Sequence, residues 1–363
     1  MKHNWTYKEL GDIADVVMGQ SPDGSSLNDS KGIEFHQGKV AFGEKFLKPS
    51  HCYTTAPTKL AKGHSLLLCV RAPVGILNIT DREICIGRGL CAVNAKDDAI
   101  NEFLYYALRS KQEYFEKNST GSTFKAISSA LVKGALIPCP SLDEQQAVVR
   151  ELDGINHLID LQEEQLREYD RLAQSLFYST FGDPATNPKG WEVKKLGEVA
   201  EQLFAGGDVP KNDLSQERDE NHPYPIYSNG VVQEGLYGYT GSARVSEPAL
   251  TISARGTIGV VFKRNEPFFP VVRLLVLVPK NEVLGMDYTM YCLRTFNIEN
   301  NGVAIPQLTV PMLKQYAIPL PPLDLQQSFA AQIEAIEQQK ALICKSLDDT
   351  RTLLAARMQY YFE

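Results

Sequence analysis

The side chains best suited to catalysis or metal binding are few, and their spacing suits neither. The seven cysteines, Cys52, Cys69, Cys85, Cys91, Cys139, Cys292 and Cys344, form an odd set with no C-x-x-C pair. That argues against a disulfide framework and against a structural zinc site, leaving reduced thiols of a cytoplasmic protein as the expected reading. The histidines, His3, His36, His51, His64, His157 and His222, show no H-x-x-x-H spacing, which would put two imidazoles on one helical face. No G-x-x-x-x-G-K-[ST] run is present to cradle a phosphate chain. Ala205-Gly206-Gly207 is the nearest glycine loop, and a single Gly-Gly pair reads as a turn. An Asn-Pro-Pro-aromatic run, of the kind that holds an extruded base for amino-methylation, is missing, as is a nuclease-like cluster of acids and lysine. The expectation is a chain with no catalytic residue, no metal and no cofactor of its own, any such chemistry belonging to partners.

The elements that must position other side chains are more legible. A chain of 363 residues fits two or three domains. Its 43% hydrophobic content is enough for real cores. No apolar run approaches the roughly 20 residues of a membrane helix, and no apolar stretch follows Met1-Lys2-His3-Asn4-Trp5 as a signal peptide requires. The net charge of −7 is unevenly spread: residues 141–186 hold ten acidic and three basic side chains. The larger segments on either side are near neutral or slightly basic, which predicts weak nonspecific attraction to polyanions.

The chain repeats itself. Trp5-Thr6-Tyr7-Lys8-Glu9-Leu10-Gly11 matches Trp191-Glu192-Val193-Lys194-Lys195-Leu196-Gly197. Arg71-Ala72-Pro73-Val74-Gly75 matches Arg255-Gly256-Thr257-Ile258-Gly259, and Tyr106-Ala107-Leu108-Arg109 matches Tyr291-Cys292-Leu293-Arg294. Ile137-Pro138-Cys139-Pro140-Ser141-Leu142-Asp143-Glu144-Gln145-Gln146 matches Ile318-Pro319-Leu320-Pro321-Pro322-Leu323-Asp324-Leu325-Gln326-Gln327. The offset drifts only between 181 and 186 residues, far above a solenoid period, so a whole domain is duplicated. Residues 20–65 and 207–249 hardly align and are expected to carry what differs between the halves.

Each half reads as an α+β globular unit followed by a long helix. Ser65–Val70, Ala249–Ser253 and Val271–Val278 have the apolar, β-branched content of buried strands, with Gly75 and Gly259 at hairpin turns. Residues 100–116 and 285–296 read as helices. From Leu142 to about Phe181 no proline intervenes, and Val149, Leu152, Ile155, Ile159, Gln162, Leu166, Tyr169, Ala173 and Leu176 keep a spacing of three or four. Ile333, Ile336, Lys340, Ile343, Leu347, Thr350, Leu354, Met358 and Tyr361 repeat the pattern. Such seams predict a coiled coil of two rods of roughly 60 Å, paired antiparallel, with polar seam residues setting register. The competing expectation is that each helix packs on its own domain. The predicted segments are 1–141, 142–186, 187–322 and 323–363.

In this order, these motifs resemble the specificity subunits of type I restriction–modification systems. The resemblance rests on the Trp-x-x-x-x-Leu-Gly starts at Trp5 and Trp191, on Arg255-Gly256-Thr257-Ile258-Gly259, and on Gly302-Val303-Ala304-Ile305-Pro306-Gln307-Leu308. It also rests on Ile318-Pro319-Leu320-Pro321-Pro322-Leu323 and on Ser175-Leu176-Phe177-Tyr178-Ser179-Thr180-Phe181-Gly182-Asp183-Pro184. Leu325 departs from the family's usual glutamate, which Glu144 keeps, and Gly121-Ser122-Thr123-Phe124-Lys125-Ala126-Ile127 stands where the second half has Ile-Pro-x-Leu. The resemblance implies two target recognition domains joined by two long antiparallel coiled-coil helices, reading a bipartite, asymmetric site on double-stranded DNA. It further implies two methyltransferase subunits that use S-adenosylmethionine to methylate adenine, and restriction and motor subunits that use ATP and Mg. Two alternatives stand beside it: the recognition subunit of a related defence system, and a coiled-coil adaptor that binds only proteins through the acidic helix.

Base readout needs side chains that fork onto base edges, Arg or Lys to guanine and Asn or Gln to adenine. The candidates are Gln37, Lys39, Arg71 and Lys125 in the first half and Ser228, Asn229, Arg255 and Gln307 in the second. Arg71 and Arg255 occur in both halves, so they are expected to grip phosphate rather than read a base, unless they serve a fold-stabilising ion pair. Lys125 and Gln307 have a role in the local fold as their alternative; Gln37, Lys39, Ser228 and Asn229 have a solvated turn.

Overall fold

The computed structural model describes residues 5–121, 125–295 and 307–363. Asn4 and His3, residues 122–124 of the Gly121–Ile127 run and residues 302–306 of the Gly302–Leu308 motif lie outside them. The chain forms two compact units: unit 1 is Met1–Gln162 with Ser346–Glu363, and unit 2 is Glu163–Lys345.

The duplication is visible strand by strand. Unit 1 holds a four-stranded antiparallel sheet in the order Ala14–Met18, Leu90–Ala95, Leu66–Cys69, Leu77–Ile79. Unit 2 repeats it as Ala200–Ala205, Leu275–Pro279, Ala249–Ile252, Val261–Arg264. The turns expected at Gly75 and Gly259 are there, both at φ +84, a conformation that an L side chain resists. A two-stranded ribbon accompanies each sheet, Thr6–Glu9 with Leu136–Cys139 and Glu192–Lys195 with Ala317–Leu320. The stretches that do not align in sequence build unlike second sheets. That of unit 1 has five short strands, Leu27–Asn28, Tyr53–Thr54, Ile33–His36, Ile84–Ile86 and Leu60–Ala61. That of unit 2 has three, Leu236–Thr240, Tyr224–Tyr227 and Phe269–Pro270.

One predicted strand is corrected. The run Val271–Val278 does not form a single strand; the strand is Leu275–Pro279, and Val271–Leu274 is a turn with Val272 and Arg273 at φ 53 and 61. Apolar content favoured a continuous strand, but hydrogen bonds from distant segments, described below, impose the turn.

The two long helices are Leu142–Phe181 and Leu323–Phe362, each of 40 residues. The first starts with a capping box: Ser141 and Glu144 exchange hydrogen bonds, Ser141 N donating to Glu144 Oε2 at 3.0 Å. Gly182, at φ +81, ends it. The shared Gln-Gln motif also acquires a physical role. Gln145 is wholly buried, donating to the Pro140 and Asp98 carbonyls and accepting from Ile100 N; Gln326 does the same with Pro321 O, Val283 O and Gly285 N. The amide thus ties the start of each helix to the loop before the short helices Asn101–Ser110 and Met286–Thr295.

Both predicted seams are turned inward, and the pairing within each unit is antiparallel. In unit 1, Glu151 pairs with Arg357, and Gln162 Nε2 donates to Ser346 Oγ at 2.8 Å. In unit 2, Lys340 Nζ reaches Asp170 at 2.8 Å and Glu337 at 3.0 Å. The compact units therefore cut across the four predicted segments. The last turns of the Leu323–Phe362 helix, through Leu354, Met358, Tyr361 and Phe362, complete the core of unit 1 around Leu10, Phe103 and Tyr106. The end of the Leu142–Phe181 helix, through Ala173, Phe177 and Phe181, completes that of unit 2 around Tyr288 and Phe329. Among the described residues no helix is long and apolar enough to cross a membrane.

Candidate nucleic-acid interface

The sequence-predicted readers converge at one end of the four-stranded sheet in each unit, and equivalent backbone hydrogen bonds assemble both places. In unit 1, Gly87 N donates to His36 O at 2.8 Å, Leu90 N to Gly87 O at 3.0 Å, Gly19 N to Leu90 O at 2.9 Å and Ile127 N to Val70 O at 3.0 Å. In unit 2 the same four bonds are Val271 N to Tyr227 O, Leu274 N to Val271 O, Gly206 N to Leu274 O and Leu308 N to Ala254 O, between 2.8 and 3.0 Å. These bonds bring together the segment after the first strand of the sheet, the loop after the Ile33–His36 or Tyr224–Tyr227 strand, the arginine loop and a tight turn.

In unit 1, Gln37, Lys39, Arg71 and Lys125 are all exposed. Gln37 Oε1 accepts from Ser21 Oγ at 2.8 Å, which leaves its amide N–H groups for a ligand. It packs so closely that a Cβ at Gly87 would lie 2.4 Å from Gln37 Oε1 and one at Gly89 2.4 Å from the Gln37 carbonyl oxygen. Backbone contact requires glycine at Gly89, and a side chain at Gly87 would displace the Gln37 amide. Lys125 O accepts from Ala72 N at 2.9 Å, so its backbone belongs to the fold while its side chain stays exposed.

In unit 2 the four candidates have different fates. Arg255 is exposed and donates to Gln307 Oε1 at 3.3 Å, its one hydrogen bond among the described residues. The two residues thus meet side by side. Ser228 Oγ donates to Gly235 O at 3.4 Å. Asn229 is spent on the fold: Nδ2 donates to Val272 O at 2.7 Å and Oδ1 accepts from Ala254 N at 2.7 Å. The backbone register also places Gln307 opposite Ala126 and not opposite Lys125, because Ile127 and Leu308 make the equivalent bond.

Sequence reasoning found Arg71 and Arg255 but missed Arg88, Lys211, Arg244 and Arg273 around these loops. A cleft lined by Gly206, Gly207, Lys211, Arg255 and Arg273 opens beside the turn. Arg244 lies 4.9 Å from the centre of the Phe204 ring. Arg71, Arg88, Arg255, Arg273 and Lys211 make no ion pair among the described residues, whereas Arg82, Arg167, Arg171, Arg218, Arg264 and Arg357 do. A Gly-Arg-Gly run at 87–89 was the available signal in unit 1; in unit 2 an apolar run hid it. Apolar tips accompany the cations, with Val40 fully exposed and Val232 80% exposed.

The support behind the loops is electrostatic. In unit 1, burial pushes the Glu34 carboxyl up, but the Arg82 guanidinium, Ser50 N–H and His36 outweigh it and hold it at about 2. Burial lowers the His36 imidazole against the opposing pull of Glu34. In unit 2, buried Arg264 stacks 3.6 Å from the centre of the Tyr227 ring and donates to Glu234 Oε2 at 2.8 Å. It fixes a loop in which Gln233 and Glu234 are left-handed. In the larger cleft of unit 2, against the long helices, Lys263 pairs with Asp287 and Lys340 with Asp170.

Among the described residues no group of three metal-ligating side chains occurs. Burial pushes the Cys69, Cys91 and Cys292 thiols up to about 12, the state of inert core cysteines.

The model of the type I restriction modification DNA specificity domain matches this chain twice, over residues 2–169 and 188–348. The chain belongs to the type I restriction–modification specificity-subunit family. Two proteins of Mycoplasma pneumoniae, provisionally named type I specificity subunits, are 32% and 33% identical to it, over 72% of this chain and 71% and 76% of theirs. A type I restriction enzyme specificity subunit of Methanocaldococcus jannaschii is 24% identical over 95% of this chain and 91% of its own. The crystal structure of the S subunit of the M. genitalium type I system shares the fold, with a TM-score of 0.64 at 18% identity, covering 99% of this chain and 96% of that one. A structure from a study of type I system assembly superposes with a TM-score of 0.63 at 20% identity, covering 99% and 97%. As a member of this family the specificity subunit is a DNA-recognition component and not a catalyst. Its α+β fold is that of two duplicated recognition domains with two long helices.

Proposed function

We propose that the two units of this specificity subunit read the two parts of a bipartite, asymmetric site on double-stranded DNA. One observation carries this. The same four backbone hydrogen bonds build a cation-bearing loop cluster in each unit, but the side chains set on that frame differ: Gln37, Lys39 and Arg88 in one, Ser228, Val272 and Arg273 in the other. A shared frame with unlike readers suits two half-sites of unlike sequence. Arg71 and Arg255, present in both, suit the phosphate backbone that is common to any sequence.

Catalysis in this reading lies in partners: two methyltransferase subunits carrying S-adenosylmethionine, and restriction and motor subunits using ATP and Mg, all in the cytoplasm. The test is an exchange of residues 5–141 for the equivalent domain of a relative, followed by mapping methylated adenines in cells that also carry the matched modification subunit. One half of the methylated motif should change and the other stay. A change in both halves would show that the units are not independent readers.

A further inference from the structure

The turn Val271–Leu274 is costly to form and held firmly. Val272 and Arg273 both lie in the left-handed region, at φ 53 and 61, and Leu274 N closes the turn on Val271 O at 3.0 Å. Hairpin turns of this hand normally use Asn or Gly, and a β-branched residue there is a strained outlier. Three segments remote in sequence hold it. Val271 N donates to Tyr227 O at 2.9 Å and Val272 N to Gly207 O at 2.8 Å. Val272 O accepts from Asn229 Nδ2 at 2.7 Å, and Asn229 Oδ1 is itself fixed by Ala254 N. Strain maintained by surrounding structure concentrates where placement matters for function. What this tip presents is Arg273, exposed and without an ion pair among the described residues, beside Arg255 and Lys211 on one cleft. Among the described residues Asp208 is the one carboxylate lining that cleft.

We infer that Arg273 reads a guanine edge in the major groove and sets the sequence preference of unit 2; this rests on unit 2 recognising DNA. A phosphate can be gripped by any flexible cation, and Arg255 and Lys211 already stand beside the turn for that. A bidentate contact with guanine O6 and N7 is made best by a planar guanidinium fork held on a rigid support. Unit 1 supplies the comparison. Its turn Gly87–Leu90 has the equivalent closing bond, Leu90 N to Gly87 O, and carries Arg88 at the place of Val272, one residue before the place of Arg273. Arg88 is not left-handed, and it is flanked by Gly87, against the Gln37 amide, and by Gly89, where the Gln37 carbonyl leaves no room for a Cβ. The same guanidinium therefore leaves the two frames from different positions and with different backbone geometry. Each unit then reads guanine at its own place in its half-site.

The test uses the full chain and a pool of randomised duplexes. The wild-type chain should enrich a two-part motif. Arg273→Ala should enrich the same motif with one guanine relaxed in one part, losing discrimination there by on the order of 10- to 100-fold, while Arg88→Ala relaxes a position in the other part. Replacing that guanine by 7-deazaguanine, which lacks the N7 acceptor, should weaken wild-type binding and leave Arg273→Ala indifferent. Arg273→Lys, which keeps the charge and loses the planar fork, should discriminate that guanine less sharply than the wild type. Uniformly weaker binding to every duplex with an unchanged motif would make Arg273 a phosphate contact and overturn the assignment. A wild-type chain that enriches no sequence would strike at DNA recognition by these loops, and this assignment would fall with it. Equal melting of the variants and the wild type checks that folding is intact, as the exposure of Arg273 requires.

Discussion

Trp5 and Tyr361 lie ring on ring, centroids 5.9 Å apart and planes within 9° of each other, so the last turn of the second long helix is part of the first recognition unit. Trp5 Nε1 also donates to Glu144 Oε1 at 3.2 Å, and Tyr361 joins Arg357 in binding Glu151. The first recognition domain is thereby completed by residues more than 180 positions beyond its own strands. Phe362, 2% exposed, packs 5.5 Å from the Phe103 ring. Phe362→Ala should destabilise unit 1 by about 3–5 kcal/mol, the usual cost of a buried Phe→Ala cavity. Hydrogen exchange should speed up across Leu66–Cys69 and Leu90–Ala95 and stay unchanged across Leu275–Pro279. Equal effects on both units would show that they unfold as one.

Arg255→Ala tests the phosphate assignment. Binding to all duplexes should weaken alike, and the slope of log affinity against log salt should flatten by about one. A new preferred sequence at an unchanged slope would make Arg255 a base reader.

Val272→Asn tests the strain. Asparagine tolerates the left-handed region, the two backbone bonds of residue 272 are kept, and the valine is 42% exposed, so little burial is lost. The variant should be more stable by about 1 kcal/mol. A less stable variant would mean that valine packing, not backbone geometry, sets the balance.

Acid should weaken unit 1 through the Glu34–Arg82–His36 cluster. The folded Glu34 carboxyl sits at about 2 against an ordinary 4.5, so the unfolded chain takes up protons first. Its contribution is present above the ordinary value and is lost as the pH falls from there through about 2. His36 works in the same sense: burial lowers its folded value, so the unfolded state gains protons as the pH drops below 6.5. Glu34→Gln should cost about 3 kcal/mol at neutral pH and flatten the acid limb of a stability profile. An unchanged acid limb would place the sensitivity elsewhere.

Part of this molecule was determined by the order of its residues alone. A duplication leaves matched motifs, and a helix seam repeats every three or four positions, so the paired domains, both 40-residue helices and the polar seam residues Gln162, Lys340 and Thr350 were readable from local pattern. The arginine loops and the turns at Gly75 and Gly259 were readable for the same reason. Tertiary structure decided what no local pattern encodes. Asn229 has the chemistry of an adenine reader, but Val272 O and Ala254 N, far away in sequence, take both ends of its amide. Val271–Leu274 has the composition of a strand, but Tyr227, Gly207 and Asn229 pull it into a left-handed turn. Arg273 could therefore not be singled out from its apolar surroundings. Each half of each long helix has the same seam, yet only packing assigns Phe362 to unit 1 and Phe177 to unit 2. Periodicity is a property of neighbours along the chain; which partner satisfies a buried amide or fills a core is settled by segments that meet only when the chain has folded.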